Sequence, residues 1–246
     1  GKSMHEWYAA PMEGLTGWRW RQVQHEMFGR AALYVTPFVS PNGNFSFQRK
    51  ELEELDPERN RGIPVVPQIL TNRAEYFVWA AKECRSRGWA QVDLNLGCPS
   101  GTVTGKKKGA GLLRQPELLR QLLDGIFDAL PDMKISVKTR IGWERAEEWP
   151  ALLALLETYP ICRLTVHPRV RTQFYKGTAD REVFRWTAEH TALPLCYNGD
   201  VTTVRDLWEM GEAFPDDAVM VGRGLVADPS LLRQATGGPA ASLEEL

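Results

Sequence analysis

Disulfides, a membrane span, a dinucleotide fingerprint and an excess of positive charge are all missing from this chain of 246 residues. Its four cysteines, Cys84, Cys98, Cys162 and Cys196, show no paired spacing. That excludes a disulfide framework and a cysteine zinc site, leaves no metal expected, and suits a reducing compartment. No apolar run approaches the ~18 residues of a membrane helix, and no signal-peptide pattern opens the chain, so a cytoplasmic protein without a membrane partner is expected. Lys plus Arg total 30 against 31 for Asp plus Glu. A polyanionic partner would therefore need a local basic face. Gly-Xaa-Gly-Xaa-Xaa-Gly does not occur, which counts against a doubly wound dinucleotide sheet. Gly1-Lys2-Ser3 ahead of Met4 is set aside from the fold.

What the chain does have is alternation. Eight short β-rich runs recur: Trp7 to Ala10, Leu33 to Phe38, Val65 to Ile69, Val92 to Leu96, Ile135 to Arg140, Leu164 to His167, Leu195 to Asn198 and Ala218 to Val221. Between them lie windows with helical patterning: Trp18 to Phe28, Arg73 to Arg87, Pro116 to Leu130, Ala146 to Thr158, Arg181 to His190 and Val204 to Met210. Strands alternating with amphipathic helices imply parallel pairing with helical crossovers. Eight repeats in a chain close to the ~250 residues of one barrel predict a single α/β domain, a (β/α)8 TIM barrel. The barrel is expected over residues 1–236, with 237–246 as a short C-terminal tail.

The strand ends read differently from the strand middles. Pro11-Met12-Glu13-Gly14 follows the first strand, Gln68 lies in the third, and Asn95-Leu96-Gly97-Cys98 ends the fourth. Lys138 and Arg140 lie in the fifth, His167 closes the sixth, and Asn198-Gly199-Asp200 and Gly222-Arg223-Gly224 follow the last two. In a TIM barrel that end is the catalytic face. A lone cysteine is usually an inert buried hydrophobe, but Cys98 stands on the turn leaving its strand and so faces the expected site. Glycines after the last two strands let backbone approach a ligand, and Arg223 suits a phosphate. Lys138 within an apolar strand would cost several kcal/mol without a partner. An anionic cofactor compensates it, and a phosphate clamp, a buried cation and a thiol at one face suggest flavin mononucleotide (FMN).

Six segments carry a resemblance: Ala10-Pro11-Met12-Glu13-Gly14, Asp93 to Ser100, Val137-Lys138-Thr139-Arg140, His167-Pro168-Arg169, Tyr197-Asn198-Gly199-Asp200 and Val221-Gly222-Arg223-Gly224. In order and spacing, from about residue 8 to about residue 235, the chain resembles the tRNA-dihydrouridine synthase family. The resemblance implies a flavin-bearing barrel that reduces uridines in tRNA, with NADPH recharging the flavin. By position, Pro11, Met12 and Glu13 would border the flavin ring, Gln68 and Lys138 would bind its polar edge, and His167 would lie beside it. Asn198, Gly199, Asp200, Gly222 and Arg223 would hold the ribityl phosphate. Asn95 would hydrogen-bond the target uracil and Cys98 would donate a proton to C5 while hydride reaches C6. Lys106 in the Lys106-Lys107-Lys108 run, with Arg169 and Arg171, would meet the tRNA backbone. No obligate protein partner is expected, and the family's usual C-terminal helical domain is not expected in a chain stopping at Leu246. Two alternatives stay open: a flavin oxidoreductase on free pyrimidines, like the dihydroorotate or dihydropyrimidine dehydrogenases, and a non-catalytic RNA-binding scaffold.

Overall fold

A computed structural model describes residues 5–246, so Gly1-Lys2-Ser3, set aside above, and Met4 lie outside the described part. Its strands are β1 (Trp7–Ala9), β2 (Leu33–Val35), β3 (Val65–Val66), β4 (Gln68–Ile69), β5 (Gln91–Leu96), β6 (Lys134–Arg140), β7 (Leu164–His167), β8 (Leu195–Asn198) and β9 (Ala218–Val221). They form one sheet in the order β3-β2-β1-β9-β8-β7-β6-β5-β4, with parallel pairing throughout. The two outer members are halves of one extended stretch. Pro67 alone separates them, and proline has no N–H to give a ladder. Its carbonyl still accepts from the Asp93 amide at 2.8 Å. Because β3 pairs with β2 and β4 with β5, the sheet closes on itself, and the barrel has the eight staves that the alternation predicts. β2 is shorter than the run Leu33 to Phe38, because Pro37 supplies no amide to extend its ladder.

Register decides which side chains face the axis. Gln68 pairs with Asp93, Asp93 with Ser136, Asn95 with Lys138, Lys138 with Thr165, Arg140 with His167, Thr165 with Cys196 and Asn198 with Met220. In parallel strands paired residues point the same way, so one parity of positions lines the interior all the way round. The other parity, including Val92, Leu94, Leu96, Val137, Leu164, Val166, Val219 and Val221, belongs to the main apolar core under the helices. Inside the barrel a smaller group of Tyr8, Ala10, Val35, Cys196, Ala218 and Met220 packs together.

The crossovers are α1 (Trp18–Met27), α2 (Arg49–Glu54), α3 (Ala74–Ser86), α4 (Gly101–Thr104), α5 (Pro116–Ala129), α6 (Trp149–Leu156), α7 (Arg181–His190), α8 (Val204–Ala213), α9 (Arg223–Ala227) and α10 (Leu231–Ala235). In α5, Leu119, Leu122, Leu123 and Ile126 are buried at the i, i+3, i+4, i+7 spacing of a single helical face. Asp180 caps α7 by accepting from the Glu182 and Val183 amides, and Thr203 caps α8. The window from Ala146 opens as a 3-10 turn, Ala146–Glu148, before α6 begins with Pro150 in its first turn. Helices α2, α4, α9 and α10 are additions to the sequence reading. None of the described helices is long and apolar enough to cross a membrane. After α10 the tail returns, and the Arg233 guanidinium pairs with Glu245 at 2.9 Å.

One buried cluster aims the first loop at the barrel mouth. Arg21, fully buried in α1, donates to Glu54 at 2.7 Å, to the Thr16 carbonyl at 3.0 Å and to Asn60 at 2.9 Å. Glu54 in turn accepts from the Trp18 amide. The loop Met12 to Thr16 is closed by its own bonds, with the Met12 amide donating to the Thr16 hydroxyl at 2.9 Å. Loop, α1 and α2 are thereby locked as one piece.

Candidate active site

The carboxyl ends of the strands surround a cavity of about 460 Å³, a size suited to a small organic ligand (roughly 300–1,000 Å³). Pro11, Met12, Glu13, Gln68, Asn95, Cys98, Lys138, His167, Arg169, Asn198, Gly199, Asp200, Gly222 and Arg223 all line it. Lys106 and Arg171, the remaining two predicted residues, lie outside its wall.

A run of hydrogen bonds across three strands supports its inner wall from below. Ser136 Oγ donates to Asp93 Oδ1 at 2.7 Å and Gln68 Nε2 donates to Asp93 Oδ2 at 2.9 Å. Asn95 Nδ2 donates to Gln68 Oε1 at 3.0 Å, and Asn95 Oδ1 accepts from the Gly97 and Cys98 amides at 3.0 and 2.9 Å. Burial raises the Asp93 carboxyl to about 6, against the pull of Ser136, Gln68 and the Lys138 charge. Asn95 is thus the brace of the cysteine turn as well as a wall of the cavity, with one amide N–H left to offer a ligand.

Cys98 sits on that turn, half-buried. The Cys98 carbonyl accepts from the Ala110 amide at 3.0 Å, which folds the following loop back under it. Gly109 has φ of +55°, and a Cβ there would stand 2.9 Å from the Cys98 carbonyl oxygen and 3.1 Å from Cys98 Cβ. Only glycine fits both the dihedral and the space. The sequence reading passed over Gly109, although a glycine directly after three lysines was visible. Burial pushes the thiol above its ordinary 9.0, and the Glu13 carboxylate adds to the rise; the Ser100 amide, Lys138 and Arg140 oppose it. The sulfur is a protonated thiol at neutral pH.

Positive charge dominates the walls. Among the described residues Lys138, Arg140 and Arg223 make no ion pair. Burial, with Arg140 nearby, lowers the Lys138 ammonium to about 8, and Asp93 only partly restores it. Arg140 is 2% exposed, and burial with repulsion from Arg169 brings it down to about 10. His167 is driven to about 2 by burial and by Arg140, Lys138, Arg169 and Arg223 around it. It is neutral, and because Arg169 Nη1 donates to its Nε2 at 2.9 Å, its own proton resides on Nδ1.

Two expected roles change on inspection of the contacts. Arg169 is 2% exposed and donates to His167, to the Lys176 and Gly177 carbonyls and to both Asp200 oxygens. It is an internal strut and has no reach to an external tRNA backbone. Asp200 accepts from Arg169 at 2.9 Å and from the Ala179 amide at 2.7 Å. Burial opposes its charge, but the Ala179 amide and Arg169 hold the carboxyl below its ordinary range. An ionised carboxylate repels phosphate, so Asp200 anchors the loop after β7 instead of binding an anion.

The rim holds aromatic groups the motifs left unassigned, beside the predicted Arg171 and Lys106. Tyr175, 57% exposed, lies between two guanidinium groups, with Arg140 at 5.2 Å and Arg223 at 5.3 Å from its ring centre. Arg171 donates to the Pro99 carbonyl at 3.1 Å and to the Thr104 hydroxyl at 3.1 Å, tying its loop to the cysteine turn. Its guanidinium lies 4.5 Å from the ring centres of both Trp143 and Phe174, and Arg114 lies 3.6 Å over Trp143. Phe174 is held at φ of +52° and remains 38% exposed. Lys106 and Lys107 are exposed, their carbonyls fixed by Asn72. These aromatic partners sit on long loops, where hydrophobic periodicity gives no signal.

The family model described as "Dihydrouridine synthase (Dus)" matches residues 8–243. A probable tRNA-dihydrouridine synthase of Rhizobium leguminosarum bv. phaseoli is 33% identical over 221 residues, covering 89% of this chain and 68% of that protein. A probable tRNA-dihydrouridine synthase of Rickettsia conorii is 30% identical over 92% of this chain and 67% of its own length. The tRNA-dihydrouridine synthase B of Proteus vulgaris is 30% identical over 92% and 69%. The chain thus spans about two thirds of each relative. In fold it is similar to the old yellow enzyme homologue of Zymomonas mobilis, with a TM-score of 0.69 at 12% identity over 99% of this chain and 92% of that one. Histamine dehydrogenase from Rhizobium sp. 4-9 shares the fold at a TM-score of 0.68 and 14% identity, over 96% of this chain and 46% of that one. With the family match running through nearly all the described residues, this chain belongs to the dihydrouridine synthase family.

Proposed function

We propose that the chain is an FMN-dependent oxidoreductase that reduces the C5–C6 bond of a uridine in tRNA, with NADPH as electron source. The observation that carries this reading is a protonated cysteine thiol sharing one cavity with three cations that make no ion pair among the described residues. The residues fit a flavin mononucleotide. The cavity has the volume for a small planar ligand, and Lys138, only partly compensated by Asp93, stands with Arg140 and Arg223 to meet an anion. A Cβ at Gly222 would stand 3.3 Å from Met12 Sδ and 3.4 Å from Ala10 Cβ, so backbone there lies close against the first loop.

Bound in the cavity, the flavin supplies the hydride that reaches C6 of uracil. Gln68 and Lys138 would hold its polar edge, Pro11, Met12 and Glu13 would border its ring, and neutral His167 would be placed to donate a hydrogen bond to it. Asn198, Gly199, Gly222 and Arg223 would take the phosphate, with Asp200 bracing the loop through Arg169 and the Ala179 amide. Lys138 stabilises negative charge without reorganising, since it is fixed in advance. The free amide N–H of Asn95 meets a uracil oxygen. As hydride adds at C6, charge builds toward C5, and Cys98 Sγ–H delivers the proton there.

A uridine inside folded tRNA must be turned out to reach this depth. The rim is suited to hold the strand beside it. Although the net charge is −1, Arg114, Arg140, Arg171 and Arg223 stand at one face and make no ion pair among the described residues, whereas Arg49, Arg61, Arg120, Arg185 and Arg205 pair with carboxylates elsewhere. Exposed Phe174 offers a ring for a neighbouring base, and Arg171, Arg114 and Lys106 offer charge for phosphates. Phe174→Ala is expected to weaken tRNA binding about 5- to 150-fold, the range for one lost stacked base, with an unaltered salt slope. Arg114→Ala should weaken binding and reduce the slope of log affinity against log salt by about one. Fluorescence anisotropy across a salt series distinguishes the two, and a Phe174 variant with wild-type affinity removes the stacking role.

The whole reading is tested by reducing the FMN-loaded protein anaerobically with NADPH and adding tRNA that lacks dihydrouridine. The yellow absorption should return, and the tRNA should gain dihydrouridine. Return with free uracil but not tRNA would instead favour a pyrimidine dehydrogenase, and failure to bind FMN would end the proposal.

A further inference from the structure

The hydrogen-bond run from Ser136 to Cys98 has fixed polarity at both ends. At one end Asp93 is a carboxylate, which when ionised only accepts; at the other, the Gly97 and Cys98 amides only donate. Between them lie two primary amides, Gln68 and Asn95, each of which could in isolation face either way. With Asp93 accepting from Gln68 Nε2, Gln68 must show its oxygen to Asn95. Asn95 must then give its nitrogen to Gln68 and its oxygen to the turn. Every donor points toward Asp93. The residue is 3% exposed, lies one interior layer below the cavity wall, and is absent from the residues lining the cavity. Register places it there, because Gln68, Asp93 and Ser136 are direct partners across β4, β5 and β6.

We propose that Asp93 is a positioning residue: by offering only acceptors it orients the Gln68 and Asn95 amides, and through them fixes the turn that carries Cys98. It is 3% exposed and takes no part in lining the cavity. The consequence for flavin rests on the reading above; the consequence for the cysteine turn does not. A donor mismatch at Gln68 breaks the run at its next link, since two amide nitrogens would then face each other. The Asn95 carbonyl would lose the support that keeps it under the Gly97 and Cys98 amides.

Substitution separates acceptor from charge. Asp93→Asn keeps an oxygen for Gln68, and its new nitrogen can be satisfied by Ser136, whose hydroxyl also accepts. Asp93→Leu keeps the size but removes the acceptor. Asp93→Ala removes it and leaves room for water, which imposes no direction, so this variant serves if the leucine variant does not fold. Two readouts are needed. The first is the alkylation rate of Cys98 by iodoacetamide in flavin-free protein, followed by peptide mass. The second is FMN affinity by fluorescence quenching, with thermal unfolding recorded on each variant.

Asp93→Asn should stay within about threefold of wild type in both. Asp93→Leu and Asp93→Ala should alkylate at Cys98 at least threefold faster and bind FMN at least tenfold more weakly, as expected on removing a hydrogen bond to a charged group. Equal losses in the asparagine and leucine or alanine variants would show that charge matters instead of direction, and would overturn the proposal. So would wild-type behaviour in the leucine or alanine variants. If wild-type protein binds no FMN, the flavin reading fails on its own, and the alkylation series still decides the role of Asp93.

Discussion

Cys98→Ala is expected to retain flavin and accept electrons from NADPH at the wild-type rate, yet lose about 10²- to 10⁴-fold in uridine reduction, the contribution of a positioned general acid. The reason lies in the direction of the thiol's shift. Burial and the neighbouring Glu13 carboxylate both favour the neutral form, and they outweigh the Ser100 amide, Lys138 and Arg140. A reactive thiolate would need the opposite balance, with electropositive neighbours winning. Cys98 therefore has a proton to give at neutral pH, and nothing in its surroundings prepares it as a nucleophile. Alkylation of wild-type Cys98 as a function of pH checks this without any substrate. The midpoint should fall above 9, and a midpoint below neutral would exclude the acid role. Single-turnover rates then separate the steps: flavin reduction unchanged, tRNA reduction lost. An alanine variant that reduces tRNA at the wild-type rate would remove Cys98 from the chemistry.

The barrel was legible in the sequence because strands buried on both faces read as short apolar runs, and their alternation with helical windows leaves few architectures. The polar strand ends were legible for the related reason that Lys138 or His167 in such a run has no cheap structural explanation. Period-two parity even places Asp93 with Asn95, and Ser136 with Lys138 and Arg140, on the same inward face. It does not say which strand lies opposite at which height. That is set by the stagger of the closed sheet, and the contact between Gln68 and Asp93, twenty-five positions apart, appears only with the register. Helix α2 escaped for a different reason. Its sequence Arg-Lys-Glu-Leu-Glu-Glu has one apolar residue, and its anchor is the ionic contact of Glu54 with buried Arg21.

Loop side chains were the least legible. Arg169 and Arg171 stand two positions apart after the same strand and read alike as basic loop residues. One folds inward onto Asp200 and His167; the other lies across the cysteine turn with Trp143 and Phe174 at its sides. No local pattern separates them, because each direction is decided by a partner on a different loop. The same is true of Asp200, which follows a glycine as a phosphate-loop residue would, but is consumed by Arg169.

Lys138→Met is expected to move stability and cofactor affinity in opposite directions. Burial and Arg140 lower the ammonium from 10.5 to about 8, against the attraction of Asp93. Between those two pH values the unfolded chain binds the proton and the folded chain does not, so the contribution of Lys138 to stability rises with pH through this window. Below about 8 the folded protein must hold a buried charge, at a cost of about 3 kcal/mol at roughly 1.4 kcal/mol per pH unit. That net cost already includes the attraction of Asp93, which opposes the shift. Flavin-free Lys138→Met should therefore be more stable than wild type by about 3 kcal/mol in urea at pH 7, with the difference closing as pH approaches 10. FMN binding should weaken more than tenfold. Wild-type affinity should itself decline as pH rises through about 8, where the charge is lost, and Lys138→Arg should remove that inflection by staying charged. A methionine variant that is less stable than wild type at pH 7, or one with unchanged FMN affinity, would mean that the cation is satisfied within the protein and is not poised for an anion. The reading predicts that the same residue is a burden to the empty barrel and an anchor in the loaded one.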